Sequence, residues 1–161
     1  MFQEGYLRTS SSEYDTKDKS TQIHLTNQCL QVHCAEYGQH EEGNTLTFAQ
    51  FNEYLEQTYP QFKVTVESKL IPRMKDLIID SFMSVRHKMN PNRRKNCFEL
   101  FGFDFLVDED FRVWLIEINT NPFLGTPNKD MVKLVPEMIN DMCKIVVDPI
   151  LKPKVEPENP D

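Results

Sequence analysis

The chain has 161 residues, 39% hydrophobic and 27% charged, a composition that predicts one folded domain and excludes a disordered chain. Its net charge of −7 argues against nucleic-acid binding, because neutralising phosphates needs a surplus of lysine and arginine. No apolar run approaches the roughly 20 residues of a membrane-spanning helix, and residues 1–5 lack the features of a secretory signal. We therefore expect a cytoplasmic protein without a nucleic-acid or membrane partner.

The N-terminal part is predicted to contain short strands separated by polar connections. Residues 1–8 are typical of a short strand, and the polar residues 9–21 are typical of a loop. Alternation of side chains over residues 23–27 predicts a second short strand, and residues 41–44 are turn-like.

Three helices are predicted from apolar residues that recur at spacings of three and four. The first carries Phe48, Phe51 and Leu55. The second covers residues 66–89, with Pro72 in its first turn. Its expected buried stripe is Leu70, Met74, Leu77, Ile78, Phe82 and Val85. The third covers residues 130–147, with Val132, Val135, Ile139, Met142 and Ile145 as its expected core positions.

Between the second and third helices, strands 98–107 and 111–119 are predicted to form an antiparallel hairpin around an acidic turn. Because side chains alternate along a strand, its two faces can be sorted from the sequence. The face expected to pack on helices carries Phe101, Phe103, Phe105, Val107, Trp114, Ile116 and Ile118. The opposite face displays Asp104, Glu117 and Asn119.

The register of this hairpin depends on the length of its turn. A two-residue loop places Asp104 opposite Leu115 with Glu117 one diagonal step away, whereas a four-residue loop places Asp104 opposite Glu117. Two neighbouring carboxylates repel each other unless a proton or cation lies between them. Oxygen-only ligands, with Asn119 as the third, suit Mg²⁺, which keeps coordination positions open for phosphate oxygens. The alternative is a pair of acids satisfied by local arginine or backbone donors.

Ahead of the hairpin, the otherwise acidic chain has one basic stretch. It consists of Arg86, His87, Lys88, Arg93, Arg94 and Lys95. Such a stretch can attract an acidic partner, and the alternative is a solvated helix end and loop.

Four blocks of this sequence together resemble the tubulin–tyrosine ligase-like family, which has the ATP-grasp fold. They are Gly5-Tyr6-Leu7-Arg8-Thr9-Ser10, His24-Leu25-Thr26-Asn27, Phe101-Gly102-Phe103-Asp104-Phe105 and Trp114-Leu115-Ile116-Glu117-Ile118-Asn119. The resemblance implies an α+β fold, the C-terminal part of an ATP-grasp domain, with antiparallel sheet packed against helices. This domain is expected over residues 1–149, followed by a Pro-rich charged tail over 150–161.

The resemblance also implies roles for individual residues. Asp104, Glu117 and Asn119 match the magnesium ligands, Thr26 and Asn27 match a pair that contacts ATP, and Arg8 matches an arginine that holds the incoming amino acid or the acceptor carboxylate. The planar, permanently charged guanidinium of Arg8 suits a carboxylate or phosphate. The alternatives are a surface ion pair for Arg8 and a helix cap for Thr26 and Asn27.

The activity implied by the resemblance is ATP-dependent ligation of an amino acid to a tubulin carboxylate through an acyl-phosphate, with ATP and Mg²⁺ as cofactors. Residues 24–29 and 37–44 look closest to the tyrosine-adding branch, which favours tyrosine. Residues 120–125 depart from that branch and leave glutamate or glycine open. The implied partners are the acidic tail of tubulin and a free amino acid. The implied location is the microtubule cytoskeleton, with the cilium as a possible address.

Family members bind adenine and phosphates partly through lysines that precede the segment matched by Gly5. This sequence has neither that region nor a Gly-rich phosphate loop, so we expect a fragment that is inactive alone. The alternative functions are a non-catalytic tubulin-binding module derived from such a ligase and a ligase for another protein.

Overall fold

The computed structural model of the protein describes residues 1–151, so nearly all of the tail predicted at 150–161 lies outside the described residues. The helices and strands follow one another as β1 (Tyr6–Arg8), α1 (Thr21–His24), α2 (Gln28–Gln31), β2 (Thr45–Thr47), α3 (Phe48–Thr58), α4 (Ile71–Val85), β3 (Gly102–Val107), β4 (Val113–Asn119) and α5 (Lys129–Val146). β1 pairs antiparallel with β2, and β3 pairs antiparallel with β4. Mixed helices and antiparallel sheets confirm the predicted α+β class.

The strand predicted over residues 23–27 is wrong. The amide of Leu25 donates to the carbonyl of Thr21 and closes the single turn of α1, and the extended residues that follow lead into α2. The carbonyl of Leu25 accepts from the side chain of Gln31 instead of from a neighbouring strand. Short alternation in the sequence cannot reveal such a side-chain partner.

The helix predicted from Phe48, Phe51 and Leu55 is confirmed as α3. It begins at a capping box, in which Thr47 Oγ1 accepts from the amide of Gln50 while the Gln50 side chain accepts from the amide of Thr47. Leu55 is buried.

The long second helix is confirmed but is shorter than predicted. A π-helical turn, Val66–Leu70, leads into α4, and Pro72 lies in the first turn of α4. The helix ends at Val85 rather than at residue 89, and Val85 is exposed although it was predicted to be buried.

The main hydrophobic core lies between α3, α4 and the β3–β4 hairpin. Val66, Leu70 and Val113 are its buried centre. The side chains packed around them are Phe48, Phe51, Ile71, Met74, Leu77, Phe105, Val107 and Phe111.

α5 is confirmed as a helix, but the predicted buried face is partly wrong. Met131 and Val135 are buried, whereas Val132 and Ile145 are exposed. Apolar residues are crowded at the start of this helix, so the pattern permits more than one buried face, and tertiary packing selects the face of Met131. None of the helices in residues 1–151 is long and apolar enough to cross a membrane.

Candidate functional site

The β3–β4 hairpin contains a β-bulge at the position of the acidic residues. Asp104 lies opposite Glu117, whereas the next residue of β3, Phe105, lies opposite Leu115, so Ile116 is the additional residue. A bulge of this kind bends the strand and changes the direction of the side chains that follow it. The pairing of Asp104 with Glu117, one of the two predicted registers, is thus observed, but through a bulge rather than through the length of the turn.

The bulge makes part of the predicted apolar face wrong. Trp114 and Ile116 are 53% and 60% exposed, whereas Val113 is buried in the core. The indole N–H of Trp114 donates to the carboxylate of Asp108 at 2.8 Å, on the outer side of the hairpin. Alternation was applied over the whole of β4, and it fails where a residue is inserted.

The aromatic face of β3 packs on a helix as predicted. The ring of Phe82 on α4 has its centroid 5.2 Å from that of Phe101 and 5.8 Å from that of Phe103. These contacts fix the side of β3 that faces the core, so the side chain of Asp104 points away from it.

The structure brings Asp104, Glu117 and Asn119 together in one cluster. The side-chain amide of Asn119 donates to Oδ2 of Asp104 at 3.1 Å and to Oε1 of Glu117 at 3.2 Å. Partial burial raises the pKa of Asp104, and the side-chain hydrogen bond to Glu117 and the negative charge of Glu117 act in the same direction, whereas the hydrogen bond from Asn119 lowers it. The Arg8 guanidinium opposes this increase in the pKa of Asp104.

The chemistry of this cluster fits a magnesium ion. Two carboxylates provide oxygen ligands only, which suits a hard cation better than zinc. The side-chain NH2 of Asn119 faces both carboxylates in this structure, so its amide must rotate to present Oδ1 to a cation. Among residues 1–151, no three His, Cys, Asp or Glu side chains converge, and Asn119 is the third polar side chain of this cluster. A Cβ at Gly102, opposite Asn119, would lie 3.0 Å from Cβ of Pro122, so glycine lets the loop after β4 approach the cluster.

Arg8 is exposed on β1 and is available to a ligand. Its guanidinium donates to the hydroxyl of Tyr6 at 3.1 Å and lies 5.6 Å from the centre of that ring. It forms no salt bridge with any residue of the described range 1–151. Arg8 lines a small cavity with Gln28 and Phe123, and its positive charge lowers the pKa of Asp104.

Thr26 and Asn27 lie in the extended segment between α1 and α2. Asn27 is the N-cap residue of α2, but its side chain makes no capping hydrogen bond. The alternative role as a helix cap is therefore absent from the structure. No hydrogen bond within residues 1–151 connects either side chain to Asp104 or Glu117, so the structure places this pair near Gln28 and the Arg8 cavity but not in the acidic cluster itself.

Two buried amides next to these segments are absent from the predicted site. Gln31 and Asn44 are 0% and 5% exposed, and both are hydrogen-bonded to the loop that follows β1. In the sequence, a glutamine such as Gln31 is expected at the surface, because this residue type is mostly exposed. Gly43 and Asn44 were predicted as part of a turn, but that prediction concerned the backbone and gave no role to the side chain of Asn44.

The fold and the acidic hairpin are those expected of part of an ATP-grasp ligase domain. The profile of the tubulin-tyrosine ligase family matches residues 1–155, and the chain belongs to that family.

Individual relatives are similar to nearly the whole of this chain. Tubulin glycylase 3A of Drosophila melanogaster is 33% identical over 160 residues, which cover 97% of this chain and 16% of that protein. Tubulin glycylase 3D of Tetrahymena thermophila is 35% identical over 153 residues, which cover 91% and 14%. Inactive polyglycylase TTLL10 of Homo sapiens is 29% identical over 156 residues, which cover 94% and 23%. The chain thus spans less than a quarter of the length of each of these relatives.

Proposed function

We propose that the full-length translated protein is an ATP-dependent ligase that joins an amino acid to a carboxylate of tubulin. The observation that carries this proposal is the cluster of Asp104, Glu117 and Asn119 on a hairpin that matches the tubulin-tyrosine ligase family. Paired carboxylates suit a cation that would offset the charge of phosphates, and Arg8, which has no acidic salt-bridge partner in residues 1–151, suits a carboxylate.

The proposed reaction has two steps. A tubulin carboxylate attacks the γ-phosphorus of ATP, which releases ADP and gives an acyl-phosphate. The amine of a free amino acid then attacks the acyl carbon, phosphate leaves, and the amine loses a proton. Bound magnesium would offset the negative charge of the phosphates during the first step.

Residues of this chain would bind and orient the reactants. Asp104, Glu117 and Asn119 would hold the metal, and Arg8 would hold a carboxylate of the amino acid or of the acceptor. Thr26 and Asn27 would contact the nucleotide. Such positioning is a large part of catalysis in phosphoryl transfer, because the reacting groups must be aligned before they react.

Glycine replaces tyrosine as the favoured amino acid. Two relatives above 30% identity are named tubulin glycylases, and these names give no support to the expectation of tyrosine.

A second candidate function is binding of tubulin without catalysis. The basic stretch of Arg86, His87, Lys88, Arg93, Arg94 and Lys95 is exposed and suits the acidic tail of tubulin. One relative is named an inactive polyglycylase, so the family includes proteins with this domain that are named as inactive. Both candidate functions place the protein at the microtubule cytoskeleton.

The test is a ligation assay with the full-length translated protein, tubulin, Mg-ATP and labelled glycine, glutamate or tyrosine in parallel reactions. The proposal predicts ATP-dependent labelling with glycine that is lost in Asp104→Ala. An absence of labelling with all three amino acids, while the protein still sediments with microtubules, would favour the binding module. Labelling that persists in Asp104→Ala would contradict the assigned metal site.

A further inference from the structure

The two segments that carry Arg8 and the Thr26–Asn27 pair are connected through buried side-chain amides rather than through an apolar core. α1 and α2 have four residues each, too few to be stable in isolation. In the described structure α1 buries no side chain at all, and the only residue buried in α2 is Gln31. The position of this part of the chain therefore depends strongly on the hydrogen bonds of Gln31.

All the hydrogen-bonding capacity of the Gln31 side chain is used. Its Nε2 donates to the carbonyls of Gln22 and Leu25, both at 2.7 Å. Its Oε1 accepts from the amide of Ser11 at 2.8 Å and from Nδ2 of Asn44 at 3.5 Å. Leu25 immediately precedes Thr26, so one end of the Gln31 amide holds the backbone beside the proposed nucleotide contacts.

Asn44 makes the corresponding connection to the segment beside Arg8. Its Nδ2 donates to Oγ of Ser11 at 2.8 Å and to the carbonyl of Thr9 at 3.3 Å. Its backbone carbonyl accepts from the amide of Thr9 at 3.0 Å. Thr9 immediately follows Arg8, so Asn44 holds the chain at the end of β1.

We propose that Gln31 and Asn44 are positioning residues, which hold the Thr26–Asn27 segment and the Arg8 segment in fixed places relative to each other. This inference rests on the proposed function, because it assigns the two segments to the nucleotide and to a carboxylate. Buried donors and acceptors without partners are costly, so the fully bonded arrangement is strongly preferred to a shifted one. The two ligand-binding segments are thereby fixed before ligands bind.

The experiment compares isosteric substitutions in the full-length translated protein. Gln31→Glu removes the donors to Gln22 and Leu25 but keeps an acceptor for Ser11. It is expected to weaken binding of Mg-ATP, measured by calorimetry, about tenfold, and to change KM for the amino acid less than about threefold. Asn44→Asp removes the donors to Thr9 and Ser11 and the long 3.5 Å hydrogen bond to Gln31, whose other three bonds remain, so the opposite pattern is expected. A purely structural role would lower the folded fraction without separating the two constants.

A matched control is Asn52→Asp, also an amide-to-acid change. Asn52 lies on α3, where its Oδ1 accepts from the amide of Val66 at 2.8 Å and its Nδ2 donates to the carboxylate of Glu67. Within residues 1–151 it makes no hydrogen bond to Arg8, Gln31 or Asn44, so a loss of stability from the new carboxylate beside Glu67 is the only effect expected. This variant should keep both constants at the wild-type value.

Each outcome of this experiment decides between the two proposals. If folded Gln31→Glu binds Mg-ATP with the affinity of the wild type, the inference is overturned while the proposed function stands. If the wild type itself binds no Mg-ATP, the proposed function fails. If Gln31→Glu does not fold, Gln31→Met, which is neutral and similar in length, is expected to show the same loss of affinity. If Gln31→Met is also unfolded, Gln31 is a requirement of the fold alone and the inference is wrong.

Discussion

Replacing Phe82 by alanine should loosen the hairpin that carries the acidic cluster. The ring of Phe82 is half-buried and contacts Phe101 and Phe103 at centroid distances of 5.2 and 5.8 Å. Each aromatic pair contributes about 0.5–1.5 kcal/mol beyond its burial, and half-burial of a phenylalanine contributes about 1 kcal/mol. We therefore expect Phe82→Ala to lower the free energy of unfolding by about 2–4 kcal/mol.

The assay is urea denaturation of the 161-residue chain, followed by the fluorescence of its one tryptophan, Trp114 on β4. Ile79→Ala on the same helix is the matched control, because Ile79 is 58% exposed and should change stability by less than about 0.5 kcal/mol. Equal losses in the two variants would refute the inferred packing of the hairpin on the Phe82 face of α4.

Two further predictions concern the framework around the site. Gly5→Ala should reduce the free energy of unfolding by about 1–3 kcal/mol, because the Cβ of the alanine would lie 2.7 Å from Cζ of Phe48. An unchanged melting temperature would contradict this prediction and show that the ring of Phe48 moves aside freely. Asn128→Ala should cost about 1–2 kcal/mol, because Asn128 caps α5 at the amide of Met131 and donates to Thr45. Asn128→Asp, which keeps the cap, should recover part of this loss in urea denaturation followed by circular dichroism, and equal losses would contradict the capping role.

The sequence predicts the composition of the acidic cluster better than it predicts the path of the strand that carries it. Either register that the turn permits puts Asp104, Glu117 and Asn119 on one face, so their proximity could be predicted without knowing the register. The bulge at Ile116 was not predicted, because an insertion depends on the pairing and twist of both strands. Residues beyond such an insertion change face, which is why the predicted burial of Trp114 is wrong.

The burial of polar side chains was also not predicted from the sequence. Glutamine and asparagine are usually found at the surface, and only the folded chain shows that Gln31 and Asn44 are enclosed and hydrogen-bonded. The strand predicted over residues 23–27 fails for the same reason, since the Gln31 side chain binds backbone groups that a strand would offer to its neighbour. Periodicity reveals apolar faces, as for α3, but it does not reveal polar interiors.

Calorimetric titration of the full-length protein with ATP tests most directly whether the acidic cluster binds Mg-ATP. We predict binding that requires Mg²⁺ and weakens at least about tenfold in Glu117→Gln, because one of the two carboxylates is lost. Glu109→Gln in the exposed hairpin turn, which removes the same charge outside the cluster, should bind as the wild type does. Binding of Mg-ATP that is unchanged in Glu117→Gln would contradict the claim.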